Sequence, residues 1–251
     1  MKTKLGNVEL TFLGTRGEIK GRSRYHWQHS ALLVRYRAAR IMIDCGTDWL
    51  GQLRAIAPTA IVLTHAHPDH AAGLAKGAPC PVYATKATWD VLRHFPVSDR
   101  RTIPLQKSKT IAGVRFKALP VRHSIRAPAV GYRVSAGTAN FFYLPDVAKL
   151  PHPSRALRAI DIYIGDGATV IRSMVRKKRG TEIGHAPIIS QLEWCATAGV
   201  RRAIFTHCGS AIVRAAPRMM ATLVRRLARV HGINARIARD GNRLILPGRT
   251  D

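Results

Sequence analysis

Seven consecutive residues, Thr64-His65-Ala66-His67-Pro68-Asp69-His70, constrain this chain more than any other stretch. A short apolar run, Ile61-Val62-Leu63, precedes them and has the character of a buried strand. Ala71-Ala72-Gly73-Leu74-Ala75 follows and suits a short helical turn. Three histidines and a carboxylate are thus gathered where a strand gives way to a helix. Side chains alternate along an extended segment, so His65 and His67 point to one side and can hold one ion together. Asp69 and His70 begin the next element and can hold a second ion beside it. Neutral imidazole is a good zinc ligand, and aspartate adds a hard, charged oxygen. The plain alternative is a surface turn rich in histidine. Four potential ligands packed between positions 65 and 70 argue against it.

The remaining chain alternates strands with short helices and shows no linker or low-complexity run, which predicts one domain over residues 1–251. Strands are expected over 8–13, 30–35, 39–43, 81–84, 102–105, 110–111, 114–119, 130–134, 140–144, 160–167 and 203–205. Helices are expected over 49–56 and 86–94, after Pro187, and over 217–230. In the last, Met220, Leu223, Val224 and Leu227 form the apolar face, and Arg218, Arg225, Arg226 and Arg229 the polar one. Strands over 234–237 and 243–246 flank Asp240-Gly241-Asn242, which predicts a closing hairpin. His123, Asp146 and His207 each fall at or just past a strand end. Taken singly they carry little: a lone histidine is more often a satisfied polar group, and an aspartate after Pro145 a turn residue.

The H-x-H-x-D-H pattern at 65–70 resembles the signature of the metallo-β-lactamase superfamily, and the likeness extends along the chain. Leu13-Gly14-Thr15-Arg16-Gly17 is similar to that family's first glycine turn, and Ile43-Asp44-Cys45-Gly46 to its strand-ending aspartate. His123, Asp146 in Tyr143-Leu144-Pro145-Asp146, and His207 in Thr206-His207-Cys208-Gly209 resemble its later metal ligands, in the family's order. The resemblance implies a four-layer αββα sandwich with two divalent metal ions at one edge. Zinc is the default, and manganese or iron suit the same donors. His65, His67 and His123 would hold one ion, Asp69, His70 and His207 the other, and Asp146 would bridge. Asp44 would steady the ligands without binding metal.

His185, in Ile183-Gly184-His185-Ala186-Pro187, resembles a residue of the branch that contains the tRNA 3′-processing ribonucleases and phosphoribosyl cyclic-phosphate phosphodiesterases. That resemblance implies hydrolysis of a phosphodiester, in RNA or a small cyclic phosphate, by a hydroxide bridging the metals. Asp69 would orient the nucleophile and His185 would protonate the departing oxygen. The alternative is that His185 only caps its own helix. The branch's long glycine-rich arm has no counterpart here, nor does a cysteine-based extra zinc site. Two other functions fit the same residues: a lactonase or thioesterase using the same metals, and a nucleic-acid-binding protein with a non-catalytic metal centre.

Charge sets the sign of the partner. Lysine plus arginine number 41 against 14 acids, a net +27. An anionic, phosphate-bearing substrate such as RNA fits that excess. So does a solvated surface left by arginine-rich composition. Arg22 and Arg24 in the loop after the first strand, and Lys177 and Lys178 in the basic run over 172–179, are the candidate substrate contacts. No apolar run approaches the roughly 18 residues needed to span a membrane. Residues 1–6 lead into the first strand with no apolar signal segment, so the expected location is cytoplasmic. Four scattered cysteines, Cys45, Cys80, Cys195 and Cys208, predict no disulfide framework. Oligomeric state stays open, with a homodimer among the options.

Overall fold

The computed structural model describes residues 6–247. Residues 1–5, on which the reading of the chain's opening rests, lie outside them, as do residues 248–251. Two seven-stranded sheets form the centre. The first sets out β1 (Val8–Gly14), β2 (Ala31–Tyr36), β3 (Ala39–Ile43), β4 (Ala60–Val62), β5 (Val82–Ala84) and β6 (Arg100–Thr102) side by side, with β16 (Arg243–Leu246) against β1. The second runs from β7 (Ser108–Ile111) through β8 (Val114–Val121), β9 (Ala129–Ala136), β10 (Ala139–Tyr143) and β11 (Ile162–Asp166) to β14 (Arg202–Thr206) and β15 (Asn234–Ile237). Between β11 and β14 in sequence, β12 (Arg176–Lys178) and β13 (Thr181–Ile183) pair as a separate hairpin.

Burial patterns explain the layering. In β1, Val8, Leu10 and Phe12 point between the sheets, where they join Phe116, Tyr132, Phe141 and Tyr143. β2 and β3 are apolar nearly throughout because both of their faces are covered. Val34 and Ile41 face the inter-sheet core, while Leu33 and Met42 face an outer layer with Trp49, Leu74 and Trp89. That layer holds α1 (Leu53–Ile56), α2 (Pro68–Ala71) and α3 (Lys86–Val91). On the other side, α5 (Ile188–Thr197) and α7 (Pro217–Val230) bury Leu192, Cys195, Met220 and Val224 against Phe142, Tyr163 and Phe205. Two short helices, α4 (Pro153–Ala156) and α6 (Ser210–Val213), complete it. The order helix, sheet, sheet, helix is the expected αββα sandwich.

Three local expectations fail, the first being the strand expected over 102–105: β6 spans Arg100–Thr102 and shares only Thr102 with it. The helix expected over 49–56 is a 3-10 turn, Thr47–Trp49, followed by α1. Gly51, at φ +80°, breaks it. The closing hairpin does not form either: β15 runs parallel to β14 in the second sheet, whereas β16 runs antiparallel to β1 in the first. The turn at 240–242 is bound elsewhere. Asp240 accepts hydrogen bonds from Trp27 N–H (2.8 Å), Gln28 N–H (2.9 Å) and Thr15 Oγ1 (2.6 Å), which ties the crossing chain to the loop after β1.

Strand direction places the site. β10, β11 and β14 are mutually parallel, and β8 reaches β10 by two antiparallel steps, so all four end at one edge. β3 and β4 are parallel in the facing sheet. Asp44, His65, His123, Asp146 and His207 each follow the end of one of these strands. No helix among the described residues is long and apolar enough to cross a membrane. All four cysteines are free; Cys45, Cys195 and Cys208 are buried.

Candidate metal centre

Pro68 opens α2, where its fixed φ suits the first helical position, and His67 stays extended just before it. His65 and His67 therefore share a side, as the alternation predicts: His65 Nε2 lies 2.9 Å from His67 Nδ1. From the second sheet, His123 Nε2 comes to 3.2 Å from the same His67 nitrogen. Two imidazole ligands on a tetrahedral zinc, each bonded at about 2.0–2.1 Å, stand roughly 3.3 Å apart. The three rings are spaced as ligands of one ion would be.

The hydrogen-bond network also sets which nitrogens carry lone pairs. Thr64 Oγ1 donates to Asp44 Oδ2 (2.8 Å), so it accepts from His65 Nδ1 (3.1 Å). His70 Nδ1 donates to Asp44 Oδ2 (2.9 Å), and His123 Nδ1 to the carbonyl of Gly184 (3.1 Å). The Nε2 atoms of all three are left bare and point into the cluster. Converging lone pairs repel unless a cation lies among them.

A second group adjoins the first. Asp69 Oδ2 lies 3.0 Å from His207 Nε2 and 3.2 Å from His70 Nε2. Asp146 spans both groups, at 2.6 Å from His70 Nε2, 3.4 Å from His207 Nε2 and 3.8 Å from His123 Nε2. His70 Nε2 and Asp146 Oδ2 are buried without a hydrogen-bond partner. Orphaned acceptors in a dry, carboxylate-rich cluster are what divalent cations satisfy. The donor set fits divalent metal ions.

Asp44 stands behind this cluster. It is fully buried and accepts from Thr64 N–H (2.7 Å) as well as from Thr64 Oγ1 and His70. Gly46 lets the backbone pass under Asp69, since a Cβ there would lie 1.9 Å from the Asp69 carbonyl oxygen.

His185 lies on the rim. Its Nδ1 is 2.8 Å from Asp166 Oδ2 and 3.5 Å from Asp146 Oδ1. It does not cap α5: Pro187 occupies that position and no side chain caps the helix. Burial would lower the imidazole's pKa, yet Asp166, then Asp146 and Asp69, raise it to about 9. Asp166 is absent from the sequence-based candidates. The structure buries it completely, with Val147 N–H on Oδ2 (3.0 Å) and Ala168 N–H on Oδ1 (2.8 Å). Gln191 of α5 locks this strand end, accepting from Asp166 N–H and donating to the Asp166 and Ala186 carbonyls. A charged residue closing the apolar run Ile162-Tyr163-Ile164-Gly165 was the available signal.

Residues 39–208 match the sequence profile of the β-lactamase superfamily domain, about two thirds of the chain. The chain belongs to this family. Over the whole fold it superposes on the metallo-β-lactamase fold protein YhfI from Bacillus subtilis, with a TM-score of 0.75, 18% identity, and 96% of this chain and 99% of that one covered. A diphosphatase from the PhnP family gives a TM-score of 0.67 at 22% identity, covering 96% and 97%. At the sequence level, 70 residues are 41% identical to ribonuclease Z of Bradyrhizobium diazoefficiens. That match spans 26% of this chain and only 22% of the ribonuclease.

In this β-lactamase-superfamily chain a cavity of about 750 Å³ opens onto the cluster, lined in part by His67, Asp69, His123, Asp146, His185 and His207. Its Lys and Arg residues are Arg172 and Arg176, and Gly17, Glu18 and Ile19 bring in the loop after β1. The four substrate contacts expected from sequence lie outside this lining. Arg22 pairs with Asp48 at 2.7 Å and stacks on Trp27. Arg24 covers the Tyr25 ring and borders a different cavity. Lys177 and Lys178 are exposed on β12, whose alternation turns Arg176 toward the cavity and Lys177 away.

Proposed function

We propose that this chain is a binuclear metal-dependent phosphodiesterase whose substrate is RNA or a small phosphodiester. The carrying observation is the pairing of the buried ligand cluster with His185, backed by Asp166, at the floor of a cavity whose Lys and Arg residues are Arg172 and Arg176. Divalent ions held by the cluster supply Lewis acidity toward a phosphoryl oxygen and acidify water near neutral pH. His65, His67 and His123 would hold one ion, and Asp69, His70 and His207 the other, with Asp146 between them. The chain's own residues divide the remaining work. Arg172 and Arg176 bind and orient the phosphate and offset its negative charge. Asp166 fixes the proton of His185 on Nδ1 when the ring is neutral, which directs Nε2 into the cavity. A proton on that Nε2 is positioned for transfer to the departing oxygen. Asp69, also in the lining, orients the attacking water. The ribonuclease Z match and the PhnP-family fold support phosphorus chemistry over an acyl substrate.

The test is a substrate panel with one variant. Zinc- or manganese-loaded protein is expected to hydrolyse bis-(4-nitrophenyl) phosphate and to leave an acyl lactone and a thioester intact. His185→Ala should lower turnover about 10²–10⁴-fold, the usual range for a lost general acid, at unchanged metal content. Preferential cleavage of the lactone or thioester would assign the site to acyl chemistry. RNA binding that is salt-sensitive but without cleavage would assign it to a binding protein.

A further inference from the structure

A second cavity, of about 600 Å³, lies away from the metal cluster on the outer face of the second sheet. It uses the outward side chains of β8 and β9 and the segment 150–159 as its walls. Its floor is apolar, with Leu119, Pro120, Leu150 and Ala156, and its rim carries Lys117, Arg133, Arg155 and Arg158. A smaller cavity of about 230 Å³ shares Lys117 and Arg133 and adds Arg115, Ser108 and Ser135. No carboxylate lines either one. Among the described residues, Lys117, Arg155 and Arg158 have no ion-pair partner.

This pocket is held in shape. Arg133 donates to the carbonyls of Ala156, Arg158 and Ala159 (3.4, 2.7 and 3.2 Å), which braces the 156–159 wall across β9. His152 and Ala159, both lining residues, sit in the left-handed region at φ +51° and +53°. Non-glycine residues enter that region at a cost and cluster where a ligand is gripped. Burial, followed by the nearby Arg115, lowers the Arg133 pKa, with Asp161 opposing them.

We propose that this cavity is a binding site for a nucleoside phosphate, free or as one unit of an RNA strand. Its volume is that of a small-molecule site, and its lining has an apolar body with a cationic rim. The phosphate would sit among Lys117, Arg155 and Arg158. The sugar and base would lie on Leu119, Pro120 and Leu150, with a guanidinium plane available for stacking. An acidic peptide would leave the apolar floor unused, and inorganic phosphate would leave it bare.

The test measures binding, so it stands or fails apart from catalysis at the metal centre. Calorimetry with adenosine 5′-diphosphate and with inorganic phosphate, and anisotropy with a short single-stranded RNA, would be run on metal-loaded wild type and two double variants. One is Lys117→Ala/Arg158→Ala in the pocket. The other, Arg225→Ala/Arg229→Ala, removes two exposed cations of α7. The pocket variant is expected to bind ADP at least tenfold more weakly, with hydrolysis of bis-(4-nitrophenyl) phosphate unchanged. The α7 variant should bind like wild type. RNA binding that falls in the same variant places the nucleotide in a strand; ADP binding alone makes it a free-nucleotide site. Equal losses in both variants, no ADP binding, or phosphate binding as tight as ADP would overturn the assignment.

Discussion

Replacing Asp44 with asparagine changes a single atom, and the structure specifies the consequence. Asp44 Oδ1 accepts from Thr64 N–H at 2.7 Å, while Oδ2 accepts from Thr64 Oγ1 at 2.8 Å and His70 Nδ1 at 2.9 Å. An Asn that keeps its oxygen on Thr64 N–H presents an NH₂ group to His70 Nδ1. That nitrogen must then accept, and the imidazole proton moves to Nε2. There it points at Asp146 Oδ2, 2.6 Å away, and occupies the direction in which His70 would bind a metal. Loss of such an outer partner typically lowers metal affinity about 10–100-fold, or roughly 1.4–2.7 kcal/mol. The reversed amide would set two N–H donors face to face at Thr64, a cost of about 1–3 kcal/mol in stability. Competition of zinc between the metal-free protein and a chromophoric chelator measures the first effect, and urea unfolding of the metal-free form measures the second. Wild-type zinc affinity together with wild-type stability in Asp44→Asn would refute the reasoning.

Three further outcomes follow from the same geometry. Asp166→Asn frees His185 from its buried partner and should lower turnover about 10²-fold or more without loss of metal, as read by steady-state kinetics beside elemental analysis. Gly46→Ala would drive a methyl group into the Asp69 backbone; calorimetry should show a loss of about 1–3 kcal/mol, with zinc binding weakened because Asp69 is displaced. His26 is held neutral, its pKa lowered to about 4 by burial and the nearby Arg239, while its Nδ1 donates to Thr15 Oγ1 (2.8 Å). The unfolded chain binds a proton at His26 near pH 6.5 and the folded one near pH 4. Stability is therefore unaffected above pH 6.5 and falls as pH drops through that window, by about 3 kcal/mol at most. Urea midpoints from pH 7 to 4.5 should fall less steeply for His26→Gln than for wild type.

The residues legible in sequence were those whose chemistry is local. One strand-to-helix junction carries His65, His67, Asp69 and His70, and period-two alternation alone puts the first two rings together. His123, Asp146 and His207 gained meaning from their place in a series of strand ends, which the parallel β8, β10 and β14 turn into a common edge. Asp166 escaped notice because an aspartate before glycine resembles a turn residue. Only the folded chain sets it beside His185, nineteen residues on. The basic run was visible, but which of its members line the site is set by the folded 172–179 segment: Arg172 and Arg176 do, and Lys177 and Lys178 on the β12 hairpin do not. Arg22 was visible as a charge, and its partner Asp48, twenty-six residues away, was not. The closing turn at 240–242 has good hairpin composition, yet Asp240 is recruited by the loop after β1 and the chain crosses between sheets.

Metal stoichiometry is the most direct measurement. Elemental analysis of purified wild type beside His67→Ala/Asp146→Ala should find two divalent ions per chain in the former and a clear loss in the latter. Wild-type protein that takes up no stoichiometric metal when reconstituted with zinc or manganese would contradict the account at its base.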